Sequence, residues 1–130
     1  TWTDASFRNS FNSGFGEWGN VASGDELPYL PGHLLNAAIG MQGERWRLDL
    51  AGNYIGRMRT EAGQGAIPAG EQIDSVVLWD VVAGYRVNDN FEIYGRVENL
   101  ADETYATARR PAGLRPGLPR TSTVGLRFTF

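Results

Sequence analysis

The chain of 130 residues carries 12 basic and 15 acidic side chains, 42% apolar and 21% charged residues, and a formal net charge of -3. That length bounds it to one domain or part of one, the composition excludes a disordered chain, and the acidic balance argues against nucleic acid as a partner. The absence of cysteine removes disulfides, zinc-thiolate centres and thiol nucleophiles, and no apolar run approaches the roughly 18 to 20 residues of a membrane-spanning helix, whereas a spanning β-sheet hides its hydrophobicity in alternation.

The sequence opens at Thr1-Trp2 without a methionine, a charged n-region or an apolar h-region, so no targeting segment is expected and the chain reads as beginning mid-protein. Glycines and prolines punctuate runs of period two, which predicts an all-β fold. In the first run Thr3, Ala5, Phe7 and Phe11 oppose Asp4, Ser6, Arg8 and Ser10, although Asn9 interrupts the apolar set. A long connection from Asn12 to Pro31 follows. Leu35, Ala37, Ile39 and Met41 then alternate with Asn36, Gly40 and Gln42, and Gly43-Glu44-Arg45 makes a tight turn. Trp46, Leu48, Leu50 and Tyr54 alternate with Arg47, Asp49 and Asn53 before a glycine-rich stretch from Arg59 to Asp74. Val77, Trp79, Val81, Ala83, Tyr85 and Val87 oppose Asp80, Gly84 and Arg86, with Leu78 and Val82 as exceptions. After the turn Asn88-Asp89-Asn90, Phe91, Ile93 and Val97 oppose Glu92, Tyr94, Arg96 and Glu98. A last long loop from Ala101 to Arg120 leads to Val124, Leu126, Phe128 and Phe130, set against Thr123, Gly125, Arg127 and Thr129. The expectation is an antiparallel up-and-down meander of about six strands.

Long and very short connections alternate, the pattern of outer-membrane barrels with short periplasmic turns and longer extracellular loops. Arg47, Arg86, Arg96 and Arg127 all fall on the polar faces. Reversing the register would turn all four towards hydrocarbon, where one arginine at midplane costs roughly 2–4 kcal/mol. The apolar faces are therefore expected to look outward, with Trp46, Trp79, Tyr54, Tyr85, Phe128 and Phe130 available to interfacial aromatic girdles. Six strands cannot close such a barrel, whose smallest examples have about eight, so residues 1–130 are expected to be a fragment.

Three motifs make the reading specific. The octet Thr123-Val-Gly-Leu-Arg-Phe-Thr-Phe130 resembles the β-signal read by the outer-membrane assembly machinery. Val97-Glu-Asn-Leu-Ala-Asp-Glu-Thr-Tyr105 and Arg115-Pro-Gly-Leu-Pro-Arg-Thr121 flank the final loop. The order Asn-Leu-x-Asp-x-x-Tyr, Pro-Gly-x-Pro-Arg-Thr and a closing aromatic strand resembles the C-terminal end of TonB-dependent outer-membrane receptors. Leu27-Pro-Tyr-Leu-Pro-Gly-His33 is similar to the matching stretch of ferric-citrate and other ferric-siderophore receptors. Locally, Asn99 and Asp102 also suit Asx turns that stop a strand, and Pro119 suits a strand entrance.

The resemblance implies a transmembrane barrel of 22 strands closed around an N-terminal plug. Residues 1–130 would be its C-terminal portion, with three long loops outside the cell and Phe130 at the periplasmic rim. It implies a non-enzymatic role in the bacterial outer membrane: TonB-dependent active transport of a ferric siderophore or similar iron chelate. The TonB complex would act through the plug, which this sequence lacks. Lipid and lipopolysaccharide would surround the barrel, and the barrel assembly machinery would read Gly125, Phe128 and Phe130. A passive porin-like channel and a soluble ligand-binding β-barrel are the alternatives.

Arg109, Arg110 and Arg115 cluster in the last loop and suit a clamp for an anionic iron chelate, or equally a solvated or lipopolysaccharide-binding loop. Arg86, Glu92, Arg96, Glu98 and Arg127 on the polar face suit plug contacts or, more simply, mutual neutralisation between strands. His33 is the sole histidine, and no His or carboxylate set has the spacing of a metal site. Gly63-Gln-Gly65 lacks the strand, helix and lysine of a phosphate loop, and no carboxylate pair is brought together as a catalytic dyad. No catalytic residue, metal site or cofactor is expected.

Overall fold

A computed structural model describes residues 1–15, 18–109 and 113–130. Its strands in chain order are β1 (Phe11–Asn12), β2 (Asn20–Val21), β3 (Leu34–Gln42), β4 (Trp46–Ile55), β5 (Met58–Arg59), β6 (Gln72–Ile73), β7 (Val76–Asn88), β8 (Phe91–Glu98), β9 (Ala106–Ala108), β10 (Arg115–Pro116) and β11 (Thr121–Phe128). Among the described residues there is no helix. The chain divides into two compact units. One, the loop unit, comprises Thr1–Leu35, Tyr54–Val76 and Thr104–Gly117; the other, the sheet unit, comprises Asn36–Asn53, Val77–Glu103 and Leu118–Phe130.

The sheet unit is the predicted meander, with five long strands in the order β11-β8-β7-β4-β3, each beside its predecessor. Register follows the two-residue period. Leu126 faces Ile93, which faces Tyr85, while Arg127 faces Glu92, which faces Arg86. Most cross-strand rows are therefore apolar or polar throughout, because side chains alternate along every strand, with Ser122 opposite Val97 and Val82 opposite Arg96 as exceptions. The apolar side is uncovered: Val124 is 76% exposed, Ile39 65% and Phe128 58%. Val21 and Ile73 are the buried apolar residues among those described, and both belong to the loop unit. Leu48, Val81 and Phe128 thus do not converge in a dry centre, and residues 1–130 leave the apolar face uncovered.

The predicted first strand behaves differently. Residues 3–11 do not join the meander, which has five long strands instead of six. Their backbone pairs with the returning part of the connection that follows: Thr3 N–H donates to Gly32 O at 2.9 Å, Phe7 N–H to Asp25 O at 2.8 Å and Gly24 N–H to Phe7 O at 2.8 Å. The hairpin continues through Phe11 opposite Val21 and Asn12 opposite Asn20 in β1–β2. Asn9 breaks the period here, so this run lacks the continuous apolar edge that fixed the other registers. A partner close in sequence also closes with less entropy loss than a distant one.

The loop unit is held by polar groups. Arg59 is 5% exposed, and its Nε donates to Glu26 Oε2 at 2.8 Å while Nη2 donates to Gly65 O at 3.0 Å. Buried Asp25 accepts from Ala22 N–H at 2.8 Å and from Gln64 Nε2 at 3.1 Å. The Thr60 hydroxyl, also buried, donates to Glu71 O at 3.0 Å. Burying such groups is tolerable because each is hydrogen-bonded. At the hairpin tip Trp18 meets Phe7, Phe11 and Phe15 edge to face, with centroids 5.7, 6.0 and 5.8 Å away.

Candidate functional site

Within the sheet unit, the polar side carries a charged row. Glu92 sits on β8 between two cations: its Oε1 lies 3.3 Å from Arg47 Nη2 on β4, and its Oε2 accepts from Arg127 Nη1 on β11 at 3.0 Å. Arg47 reaches Glu92 past buried Gly84, where an added Cβ would fall 2.8 Å from its Nε. Arg96 and Glu98 pair at 2.8 Å on the same strand. Mutual neutralisation thus accounts for Glu92, Arg96, Glu98 and Arg127. These pairs are half exposed, so each contributes little to stability. Tyr94 occupies the adjacent row between Gly84 and Gly125, and Arg127 stands over its ring at 5.8 Å.

The proposed assembly residues lie on β11 or just beyond it. Gly125 is opposite Tyr94, whose ring covers the place a Cβ would take. Phe128 stacks on Phe91 with centroids 4.7 Å apart and an interplanar angle of 15°. Phe130 is fully exposed, and the backbone before it is tied to the β7–β8 turn by Thr129 N–H to Asn90 O at 3.0 Å and Asn90 Nδ2 to Thr129 O at 2.8 Å.

At the end of β8, Asn99 does more than the Asx turn expected of it. Its side chain is buried, its φ is 50°, and its carboxamide makes three bonds: Nδ2 donates to Glu103 O at 2.9 Å and to Leu118 O at 3.0 Å, and Oδ1 accepts from Glu103 N–H at 2.9 Å. Its own N–H donates to Asp80 Oδ1 at 3.0 Å. Asp102, at φ 57°, accepts from Arg120 N–H at 3.0 Å, with the Arg120 guanidinium 3.7 Å from its other oxygen. The two motifs recognised in the sequence are thus bonded to each other.

In the loop unit, Arg109 and Arg115 lie on the two sides of the β9–β10 ribbon, where Arg115 is opposite Ala108. Half-buried Arg109 donates through Nε to Gln72 O at 2.8 Å, while Arg115 is exposed. Arg110 lies outside the described residues. One guanidinium of the expected clamp is therefore engaged as a tether between loops. Sequence reasoning passed over a recess of about 830 Å³ in the same unit, lined by Trp2, Glu26, His33, Arg57, Arg59 and Gln72 among others. Trp2 stacks on His33 at 5.5 Å, giving it an aromatic wall beside charges of both signs. Nothing in the spacing of these residues announces the recess, because they come from separate segments. Among the described residues, no group of three or more His, Cys, Asp or Glu side chains is placed to hold a metal ion.

Residues 1–100 match the family described as TonB dependent receptor-like, beta-barrel. Among solved structures, the ferric-catecholate import receptor Fiu from E. coli is 29% identical with a TM-score of 0.70, covering 81% of this chain and 15% of that one. The siderophore receptor PiuA from Acinetobacter baumannii superposes at a TM-score of 0.68 over 82% of this chain and 15% of its own, with 18% identity, a likeness of fold alone. The vitamin B12 transporter BtuB from Photobacterium profundum is 34% identical over 62 residues, 48% of this chain and 9% of that protein. The chain spans less than a fifth of the length of each of these relatives.

Proposed function

The chain belongs to the TonB-dependent receptor β-barrel family, and we propose that it forms the C-terminal portion of a barrel that imports a ferric siderophore or similar iron chelate. The family consists of outer-membrane transporters and receptors of Gram-negative bacteria, which are not enzymes, and the chain takes its location and its general class of transport from it. The observation that carries the reading is the uncovered apolar face of the meander opposite a face of paired charges, since hydrocarbon covers one and a wet lumen suits the other. Iron chelates are favoured over other cargo by the likeness to Fiu, which is named as a ferric-catecholate import receptor and matches more of this chain than BtuB does.

In this reading the TonB complex acts through a plug outside residues 1–130, and lipopolysaccharide surrounds the outer rim. Arg115 contacts an anionic chelate while Arg109 holds the loop in place. Gly125, Phe128 and Phe130 are the residues read by the barrel assembly machinery.

Iron uptake by cells expressing the full protein that carries this segment tests the reading. Accumulation of labelled ferric chelate that stops on loss of TonB is expected. TonB-independent leakage of small solutes would instead establish a porin, and uptake of cobalamin without any iron chelate would replace the cargo. Removing Phe130 is expected to lower the yield of heat-modifiable barrel several-fold, and wild-type levels would remove that residue from the assembly signal.

A further inference from the structure

We infer that Asn99 and Asp102 form a register lock for the β8–β11 hairpin, selecting which residue of β11 meets Glu98 across a connection too long to select it. A two-residue turn fixes register by its own geometry. The connection 99–120 is far longer than such a turn, and the pairing of β9 with β10 inside it stops at Tyr105 and Gly117, so the step from there to the ladder between Glu98 and Thr121 must be set by something else.

Alternation does part of the work. A slip of one residue would carry Arg127 to the apolar side and Leu126 and Phe128 to the polar side, reversing every row of β11. A slip of two residues keeps every side chain on its proper face. It is this even-numbered error that the hydrophobic pattern cannot reject.

The bonds around Asn99 and Asp102 reject it. Leu118 O and Arg120 N–H, the groups held by the two side chains, lie within three residues of the first paired residue of β11, Thr121. With a rise of about 3.3–3.4 Å per residue, a two-residue slip displaces both groups by about 6.7 Å, beyond the reach of any hydrogen bond. Asn99 is 4% exposed, so water does not replace the lost partners of its carboxamide. The residue types fit this duty. Both backbones adopt positive φ, which Asn and Asp accept more readily than other non-glycine residues. Only a carboxamide donates to Leu118 O and Glu103 O while accepting from Glu103 N–H. The Asp80 carboxylate on β7, accepting from Asn99 N–H, refers the lock to the neighbouring strand.

Residues 1–130 contain no cysteine, so disulfide trapping reads the register once every cysteine elsewhere in the full protein has been replaced by serine. Val97→Cys with Ser122→Cys reports the observed register, in which these residues are opposite. Val97→Cys with Val124→Cys, or with Arg120→Cys, reports two-residue slips. In membranes carrying that cysteine-free full protein, the first pair is expected to cross-link at least tenfold more than either slipped pair. Adding Asn99→Ala with Asp102→Ala is expected to reduce that preference at least fivefold, whereas Asp102→Asn, which keeps the acceptor oxygen, is expected to preserve it. An unchanged preference in the double variant overturns the inference. Should the double variant fail to accumulate, replacing residues 99–120 by an Asn-Gly turn supplies register independently. Recovery of barrel with the 97–122 cross-link then supports the lock, and no recovery overturns it. The outcome is independent of which solute is transported.

Discussion

The two units solve opposite problems with the same chain. The sheet unit has regular registers and no buried apolar core, so its order comes from ladder hydrogen bonds, alternation and whatever hydrocarbon covers its outer face. The loop unit has only short two-stranded pairings, β1–β2, β5–β6 and β9–β10, and its order rests also on a few buried polar groups, Arg59, Asp25 and Thr60, each supplied with partners. A surface repeated every second residue suits a uniform environment, whereas an irregular unit needs individual bonds at individual places.

Placing charge on the two kinds of surface exposes the difference most sharply. Val124→Arg on the sheet unit is expected to cost about 2–4 kcal/mol if the site lies near midplane, seen as loss of heat-modifiable barrel from outer-membrane fractions. Leu114→Arg in the loop unit, at a residue 61% exposed, is expected to leave that yield unchanged. Equal tolerance at both positions would break the comparison. The next largest effect tests the other unit. Glu26→Ala deprives the buried Arg59 guanidinium of its carboxylate, and because Glu26 is half exposed the cost is about 1–2 kcal/mol. Faster cleavage by an added protease between residues 59 and 73, with the barrel itself intact, is the expected result. Gly125→Ala is smaller still, at roughly 1 kcal/mol, because the new methyl meets the far end of a Tyr94 side chain that can swing aside. Combining it with Tyr94→Ala should recover most of the lost thermal stability.

How much of this was legible in the sequence follows the same division. Strands β3, β4, β7, β8 and β11 were readable because alternation over many residues has only one physical explanation. The segment from Thr3 to Phe11 shows the limit: alternation says that a segment is extended and two-faced, but not which partner it takes. The bond between Arg59 and Glu26 joins residues 33 apart through irregular backbone, and no period or spacing foretells it. Asn99 lies between these cases. Its turn-forming habit was visible, while its bonds to Glu103 and Leu118 required knowing that the far end of the loop comes back to it. Of the three arginines proposed as a clamp, spacing could show that they were close in the chain but not that Arg109 spends its Nε on Gln72.

Glycine 84 has a consequence out of proportion to its size. Arg47, Glu92 and Arg127 make a side-chain cross-tie spanning β4 to β11, laid across the strands and loaded whenever one strand is sheared past the next. The tie passes through the gap above residue 84, where any Cβ would crowd both Arg47 Nε and Glu92 Oε1. A single methyl group there would push the ends of both side chains aside and loosen the brace while leaving every charged member in place, so its mechanical weak point is an empty space.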